Sequence, residues 1–232
     1  MTLGEPSTEV LRGVDLRISA GERVALMGRN GAGKTTLLRS AAGLVEPVRG
    51  RIAIPRGCAL LSQSPADFLV ADRVGAEFDG DDGRPILKLL GLAGLQERDP
   101  RDLSGGERQR LALALVMAGR DGPGVAPQLI CLDEPTRGMD RAGKAELVAW
   151  LDRLAQAGWA IVLATHEVEL AASFADRVLL LGEGELIADA PPGEVLSGGW
   201  YFATEVARVL DLPGVITAEA GAEALAGARP AP

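Results

Sequence analysis

Gly28, Arg29, Asn30, Gly31, Ala32, Gly33, Lys34, Thr35 and Thr36 are the first residues in the chain whose types and spacing suit chemistry. They follow an apolar run, Arg23 to Gly28, and open a segment of helical spacing, Gly33 to Gly43. Glycines let successive backbone N–H groups curl inward around phosphate oxygens. A helix N-terminus adds its positive end. In the strand–GxxxxGK[ST]–helix pattern, Lys34 is placed to bridge β- and γ-phosphates and the Thr35 hydroxyl to ligate Mg²⁺. Only three of the 24 basic residues are lysines, and one stands on this spot. The other two, Lys88 and Lys144, read as solvated helix charges.

A second set is acidic. Leu129 to Leu132 is an apolar strand running into Asp133 and Glu134, and the C-terminal ends of strands are where α/β sheets place ligands. Asp133 there suits Mg²⁺, and Glu134 suits polarising a water for attack on a γ-phosphate. The pair alone is equally a polar strand end; the phosphate loop in the same chain favours the catalytic reading. His166, the single histidine, and Gln63 follow strand-like runs. Each taken alone reads as an ordinary structural or surface residue. Ser104 before Gly105 and Gly106 reads as a helix cap, and a cap that points outward is also an anion site.

The elements that must position these groups alternate. Strands are expected at Val10–Ile18, Arg23–Gly28, Arg51–Ile54, Cys58–Ser62, Leu129–Leu132 and 159–164. A hairpin is expected at 176–181 and 185–188, joined at Gly182-Glu-Gly184. Helices are expected at Gly33–Gly43, Pro85–Gly91, Gly106–Ala118, Arg141–Ala157 and Val168–Ala175. Strands alternating with helices predict an α/β sheet layered with helices. The break in that pattern puts a helical subdomain at 64–122, inserted into a core of 1–63 and 123–197. A C-terminal extension follows at 198–232, and its Ala/Gly/Pro-rich end, 218–232, reads as a mobile tail.

Composition bounds the function. The chain has 232 residues, is 47% hydrophobic and carries a net charge of −8. That suits one globular domain and argues against a broad nucleic-acid footprint. Two cysteines, Cys58 and Cys131, make no close pair motif and suggest a reducing compartment. The longest apolar stretch, Leu111 to Ala118, is far too short to span a membrane, so a membrane role would be peripheral.

Leu103-Ser-Gly-Gly-Glu107-Arg-Gln-Arg110 resembles the signature of ABC-type ATPases, and it stands between the phosphate loop and the acidic strand. Gln63 resembles the Q-loop glutamine, Thr136-Arg-Gly-Met-Asp140 the D-loop, and His166 the switch histidine. The resemblance covers residues 10–197. It implies a P-loop NTPase (RecA-like) core with an inserted α-helical subdomain, ATP and Mg²⁺ as cofactors, and ATP hydrolysis. It also implies a head-to-tail pair with a second ABC ATPase domain, self or sister. Each ATP would lie between the phosphate loop of one protomer and Ser104, Gly105, Gly106 and Glu107 of the other. Glu134, His166 and Gln63 take catalytic roles in this scheme. Thr35, Gln63 and Asp133 take the metal, and Asp140 belongs to the D-loop.

The Thr-Arg-Gly form of Glu134 to Asp140 and the segment Ser62 to Asp67 resemble energy-coupling-factor and cobalt-type importers. So does the stretch from Gly193 to Phe202, which is similar to the second half of fused two-ATPase chains. That subgroup implies a transmembrane coupling subunit, a peripheral place on the cytoplasmic face of the membrane, and vitamin or transition-metal uptake. Phe68, Leu69 and Val70 would then border a groove for the membrane subunit. A non-hydrolysing half acting as a nucleotide-dependent scaffold is the competing class, and a soluble ATPase acting on nucleic acid is a third. No aromatic residue precedes Phe68, so the adenine platform that the family usually carries is missing unless Leu3, Val10 or Arg12 replaces it. The apolar edge of Val10–Ile18 lacks an earlier strand to pair with. We therefore expect the natural fold to begin upstream of Met1.

Overall fold

Short apolar runs find one another side by side. In the computed structural model, which describes residues 9–62, 69–78, 83–118, 128–136, 139–198 and 202–227, six of them form one sheet. They are β1 (Arg23–Gly28), β2 (Cys58–Leu61), β3 (Leu129–Asp133), β4 (Ala160–Ala164), β5 (Arg177–Gly182) and β6 (Glu185–Ala190). The order is β2-β3-β4-β1-β5-β6, parallel except for β6. β2, β3 and β4 are buried along their whole length, as parallel strands covered on both faces must be.

The two faces segregate with period two. Ile130, Leu132, Ile161 and Leu163 enter one cluster, while Leu129, Cys131, Ala160 and Val162 enter another. Helices cover both. The second cluster takes Leu38 of α1 (Lys34–Ala41). The first takes α2 (Gly83–Leu89), α3 (Gly105–Ala118), α4 (Arg141–Gln156) and α5 (Val168–Phe174). The helical region thus shares the core of the sheet: Leu87, Leu111 and Leu113 pack in one cluster with Ile130, Trp150 and Phe174.

The β5–β6 hairpin is as expected and turns on two residues, Glu183 (φ 49°) and Gly184 (φ 85°). A turn with positive φ at both central positions matches the strand twist. A Cβ on Gly184 would also collide with the Val10 carbonyl oxygen.

Three expectations are corrected. Val10–Ile18 and Arg51–Ile54 are not strands. Leu11, Leu16, Ile18 and Ile54 do pack against the α1-side cluster. Among the described residues, the first segment meets the β5–β6 turn through the main-chain bond of Arg12 N–H to Gly184 O at 2.8 Å. Apolar alternation thus bought packing without the repeated pairing that makes a strand. The end of the chain is not wholly a tail: Ala218–Gly227 is a helix, α8. Alanine is the strongest helix former, and the Thr217 hydroxyl caps it by accepting from Ala220 N–H at 3.2 Å. α8 packs on α7 (Glu205–Leu210), which follows the short α6 (Pro192–Val195). Finally, Cys58 and Cys131, distant in sequence, lie on adjacent strands as unbridged thiols with their sulfurs 3.4 Å apart.

Candidate nucleotide and catalytic site

Parallel pairing brings the C-terminal ends of β1, β3 and β4 to one edge: Leu26 is level with Ala164, and Ala164 with Asp133. Among the described residues, the phosphate loop, Asp133, Glu134 and His166 all leave the sheet from that edge. The loop after β1 passes Arg29, Asn30 and Gly31, all exposed, then buries Ala32, Gly33 and Lys34. Gly33 stands at the cap of α1 with φ 105°, and a Cβ there would lie 2.8 Å from Leu11 Cδ2. No side chain caps this helix, so its first turn keeps N–H groups for an external acceptor. Lys34 is only 7% exposed, and its ammonium bridges the loop by donating to Gly28 O at 2.8 Å and Arg29 O at 3.4 Å. Thr36, partly buried, is in the same first turn.

The next residue in that turn reaches β3. Thr35 Oγ1 donates to Asp133 Oδ2 at 2.7 Å. The other carboxylate oxygen, Asp133 Oδ1, is buried without a hydrogen-bond partner. An orphaned carboxylate oxygen beside a hydroxyl is an unsatisfied hard-oxygen set. It fits Mg²⁺, which takes one or two protein oxygens and completes its shell with phosphate and water.

Glu134 closes the edge. Its backbone is left-handed, φ 52°, a strained state for a non-glycine residue that costs on the order of 1–3 kcal/mol. The state is held by Glu134 N–H donating to Ala164 O at 2.9 Å. It swings the carboxylate to His166, whose Nδ1 lies 2.5 Å from Glu134 Oε2. A carboxylate only accepts, so Nδ1 carries the proton in this contact. The Glu134 side chain is 13% exposed and His166 65%, so the carboxylate is sheltered while the imidazole faces the open.

Ser104 and Glu107 form a reciprocal cap on α3. Ser104 N–H donates to Glu107 carboxylate at 2.8 Å, and Glu107 N–H to Ser104 Oγ at 3.2 Å. The Ser104 backbone N–H, then its hydroxyl, hold the Glu107 carboxyl below the usual carboxylate range. Gly105 and Gly106 do not have the positive φ that demands glycine, and a Cβ on Gly105 would meet nothing within 4 Å among the described residues.

Asp140 caps α4, accepting from Gly143 N–H at 2.8 Å. Lys144, one turn further on, is not a solvated charge as its sequence context suggests. Its ammonium pairs with Glu167, which also accepts from Thr136 Oγ1 at 2.7 Å. Burial tends to raise the Glu167 pKa, but Lys144 and Thr136 outweigh it and hold the carboxyl below its ordinary value. Lys88 is exposed as expected. Sequence reasoning missed Glu167 altogether, and with it the contacts that Thr136 and Lys144 make to its carboxylate. Glu167 directly follows His166, and Lys144 lies four residues after Asp140, which is the only signal they offer. Gln63 and Phe68 lie outside the described residues.

Residues 11–137 match the family model for the ABC transporter. The chain belongs to the ABC transporter family. An ABC transporter ATP-binding protein of Streptomyces coelicolor is 48% identical over 225 residues, covering 87% of this chain and 39% of that one. One from Streptomyces avermitilis is 46% identical over 94% of this chain and 42% of its own length. The chain thus spans about two fifths of these relatives. One from Methanothermobacter marburgensis is 33% identical over 82% of this chain and 76% of its own. Among solved structures, CbiO1 from Clostridium perfringens, part of the ABC transporter complex CbiONQ, superposes with TM-score 0.70 at 27% identity. It covers 80% of this chain and 83% of that one. A metal-chelate type ABC transporter in an inward-facing conformation gives 0.67 at 26% identity. The fold is that of the ABC ATPase.

Proposed function

We propose that this ABC domain binds Mg²⁺·ATP and hydrolyses it to power a membrane importer, working as half of a head-to-tail nucleotide sandwich. The observation that carries the hydrolytic reading is the contact of Glu134 with His166 at the strand edge that also bears Lys34 and Asp133. In this reading the loop Gly28–Thr36 wraps the β- and γ-phosphates with its N–H groups. The Lys34 ammonium exchanges its carbonyl partners for phosphate oxygens. Thr35 and Asp133, with Gln63, would hold Mg²⁺, which would neutralise charge on the phosphates when bound. The Glu134 carboxylate accepts a proton from the attacking water, and His166 orients Glu134 through Nδ1 while its other nitrogen is free to meet the γ-phosphate. These intact groups favour hydrolysis over the scaffold reading.

Ser104, Gly105, Gly106 and Glu107 would serve the partner protomer's nucleotide. The supporting feature is the open space over Gly105, where the described fold has no use for glycine and a second chain carrying a phosphate would. Asp140 and its loop would line the same interface. We divide the chain into a core (1–63, 123–197), a helical subdomain (64–122) that meets a transmembrane coupling subunit, and an extension (198–232). No described helix is long and apolar enough to cross a membrane, which suits a subunit peripheral to the cytoplasmic face. Likeness to CbiO1 and to a metal-chelate transporter supports uptake of a vitamin or transition metal by an energy-coupling-factor-like complex. The span of two fifths of the Streptomyces relatives supports one half of a two-ATPase chain.

Glu134→Gln tests the reading. It keeps size and hydrogen bonding and removes the base. Turnover by the assembled complex should fall by two orders of magnitude or more, about 3 kcal/mol in barrier, while ATP still binds and the closed pair accumulates. Unchanged turnover would remove Glu134 from the base role.

A further inference from the structure

Two loops leave the sheet side by side after β3 and β4, and the catalytic contact joins them. They are tied by Glu134 N–H to Ala164 O at 2.9 Å and by Glu134 to His166. A third tie lies just beyond. Thr136, two residues after Glu134, donates to Glu167 Oε1 at 2.7 Å, and Glu167 follows His166. Lys144 approaches the other oxygen of Glu167 from α4, whose N-cap is Asp140. Both loop hydroxyls are out of water: Thr136 is 2% exposed and Thr165 is fully buried. Thr165 Oγ1 in turn accepts from Glu167 N–H at 3.0 Å, fixing the backbone from which the carboxylate projects.

We propose that Lys144, Glu167 and Thr136 form a positioning clasp that holds the His166 loop against the loop of Glu134 and ties both to the start of α4. The inference rests on the hydrolytic reading of Glu134. None of the three residues needs to touch nucleotide. Their work is to keep the 2.5 Å contact between His166 and Glu134, because a loop that relaxes by a fraction of this distance lets the imidazole turn away. Through Asp140, whose backbone oxygen accepts from Lys144 N–H at 3.1 Å, the clasp also links this contact to the segment expected at the protomer interface. Closure of the pair can then set the catalytic geometry, and opening can release it.

The single histidine makes the test direct, since every imidazole signal comes from His166. In the full-length protein with its ring nitrogens labelled, measured where the imidazole is neutral, the spectrum should show the Nδ1–H tautomer that a carboxylate partner imposes. Lys144→Met and Glu167→Gln should both move it toward the Nε2–H form of a free imidazole, and Lys144→Arg should restore the parent spectrum. In the same variants kcat should fall roughly tenfold to a hundredfold with KM for Mg²⁺·ATP within about twofold. Two separate variants guard against one that does not fold. If the tautomer is the same in the parent and both loss variants, the clasp does not position His166, whatever the rates do. If the spectra shift but the parent shows no turnover, the clasp stands and the hydrolytic reading falls.

Discussion

A hydroxyl and a carboxylate from distant parts of the chain make the sharpest statement at the level of single residues. Thr35 and Asp133 are 98 positions apart and share a 2.7 Å hydrogen bond, with one buried carboxylate oxygen left over. Thr35→Val keeps the shape of the side chain and removes the oxygen. In an ATPase titration against Mg²⁺, the concentration for half-maximal rate should rise at least about tenfold, read beside the melting temperature of the metal-free protein, because the substitution also removes the hydroxyl that donates to buried Asp133. A metal dependence identical to that of the parent protein would take Thr35 out of the metal site. Lys144 teaches the converse lesson. Its neighbours in sequence say surface, while its neighbour in space is Glu167. Partners across the fold are invisible to local context, and they decide whether a charge is solvated or structural.

At the level of elements, caps and ladders separate what folds from what merely alternates. The Ser104–Glu107 box holds α3, and Glu107 carries a depressed pKa because it accepts from Ser104. A depressed acid contributes stability above its unfolded-chain value of about 4.3. That contribution is lost as pH falls from there through the lower folded value. Glu107→Ala should therefore cost roughly 0.5–1 kcal/mol in denaturant unfolding at neutral pH, and the gap to the parent protein should shrink as the pH drops below about 4. A gap independent of pH would mean the box does not carry the stability. The segment after Gln63 makes a prediction of another kind. Of the three expected apolar residues, Phe68 lies outside the described residues and Leu69 packs on the core, which leaves Val70, 84% exposed, for the proposed membrane subunit. Val70→Asp should leave ATP binding intact and reduce transport by the assembled complex. Normal transport in that variant would place the groove elsewhere.

At the level of the whole molecule, the proposed sandwich gives one domain half of each site. The loop carrying Lys34 and the cap carrying Ser104 lie on opposite sides of the proposed sandwich, so lesions in both can be combined in a mixed pair. A protomer with Ser104→Arg joined to one with Lys34→Ala should put both lesions in one composite site and leave the other whole. Measured as ATP occluded per mixed pair, the expected result is one nucleotide. None at all would count against a trans arrangement. The same scale explains why the helical region is not an independent body: Leu87, Leu111 and Leu113 complete the cluster of Ile130, Trp150 and Phe174, so its folding and that of the sheet are one transition.

The sequence by itself determined the chemistry and its order along the chain: the phosphate loop, the cap at Ser104, the acidic strand end and the histidine. Each depends on a local pattern of glycine, apolar run or cap, which short-range sterics and hydrogen bonding set. It also determined the sheet strands that are buried on both faces, because a continuous apolar run has nowhere else to go. Only the tertiary structure decided that Val10–Ile18 and Arg51–Ile54 are not strands, since a strand exists by virtue of the neighbour it bonds. It alone brought Cys58 to Cys131, turned Glu134 into its strained conformation against His166, and gave Lys144 its carboxylate. Those outcomes depend on which ends of β3 and β4 meet, and pairing between segments some thirty residues apart leaves no mark on either segment taken alone.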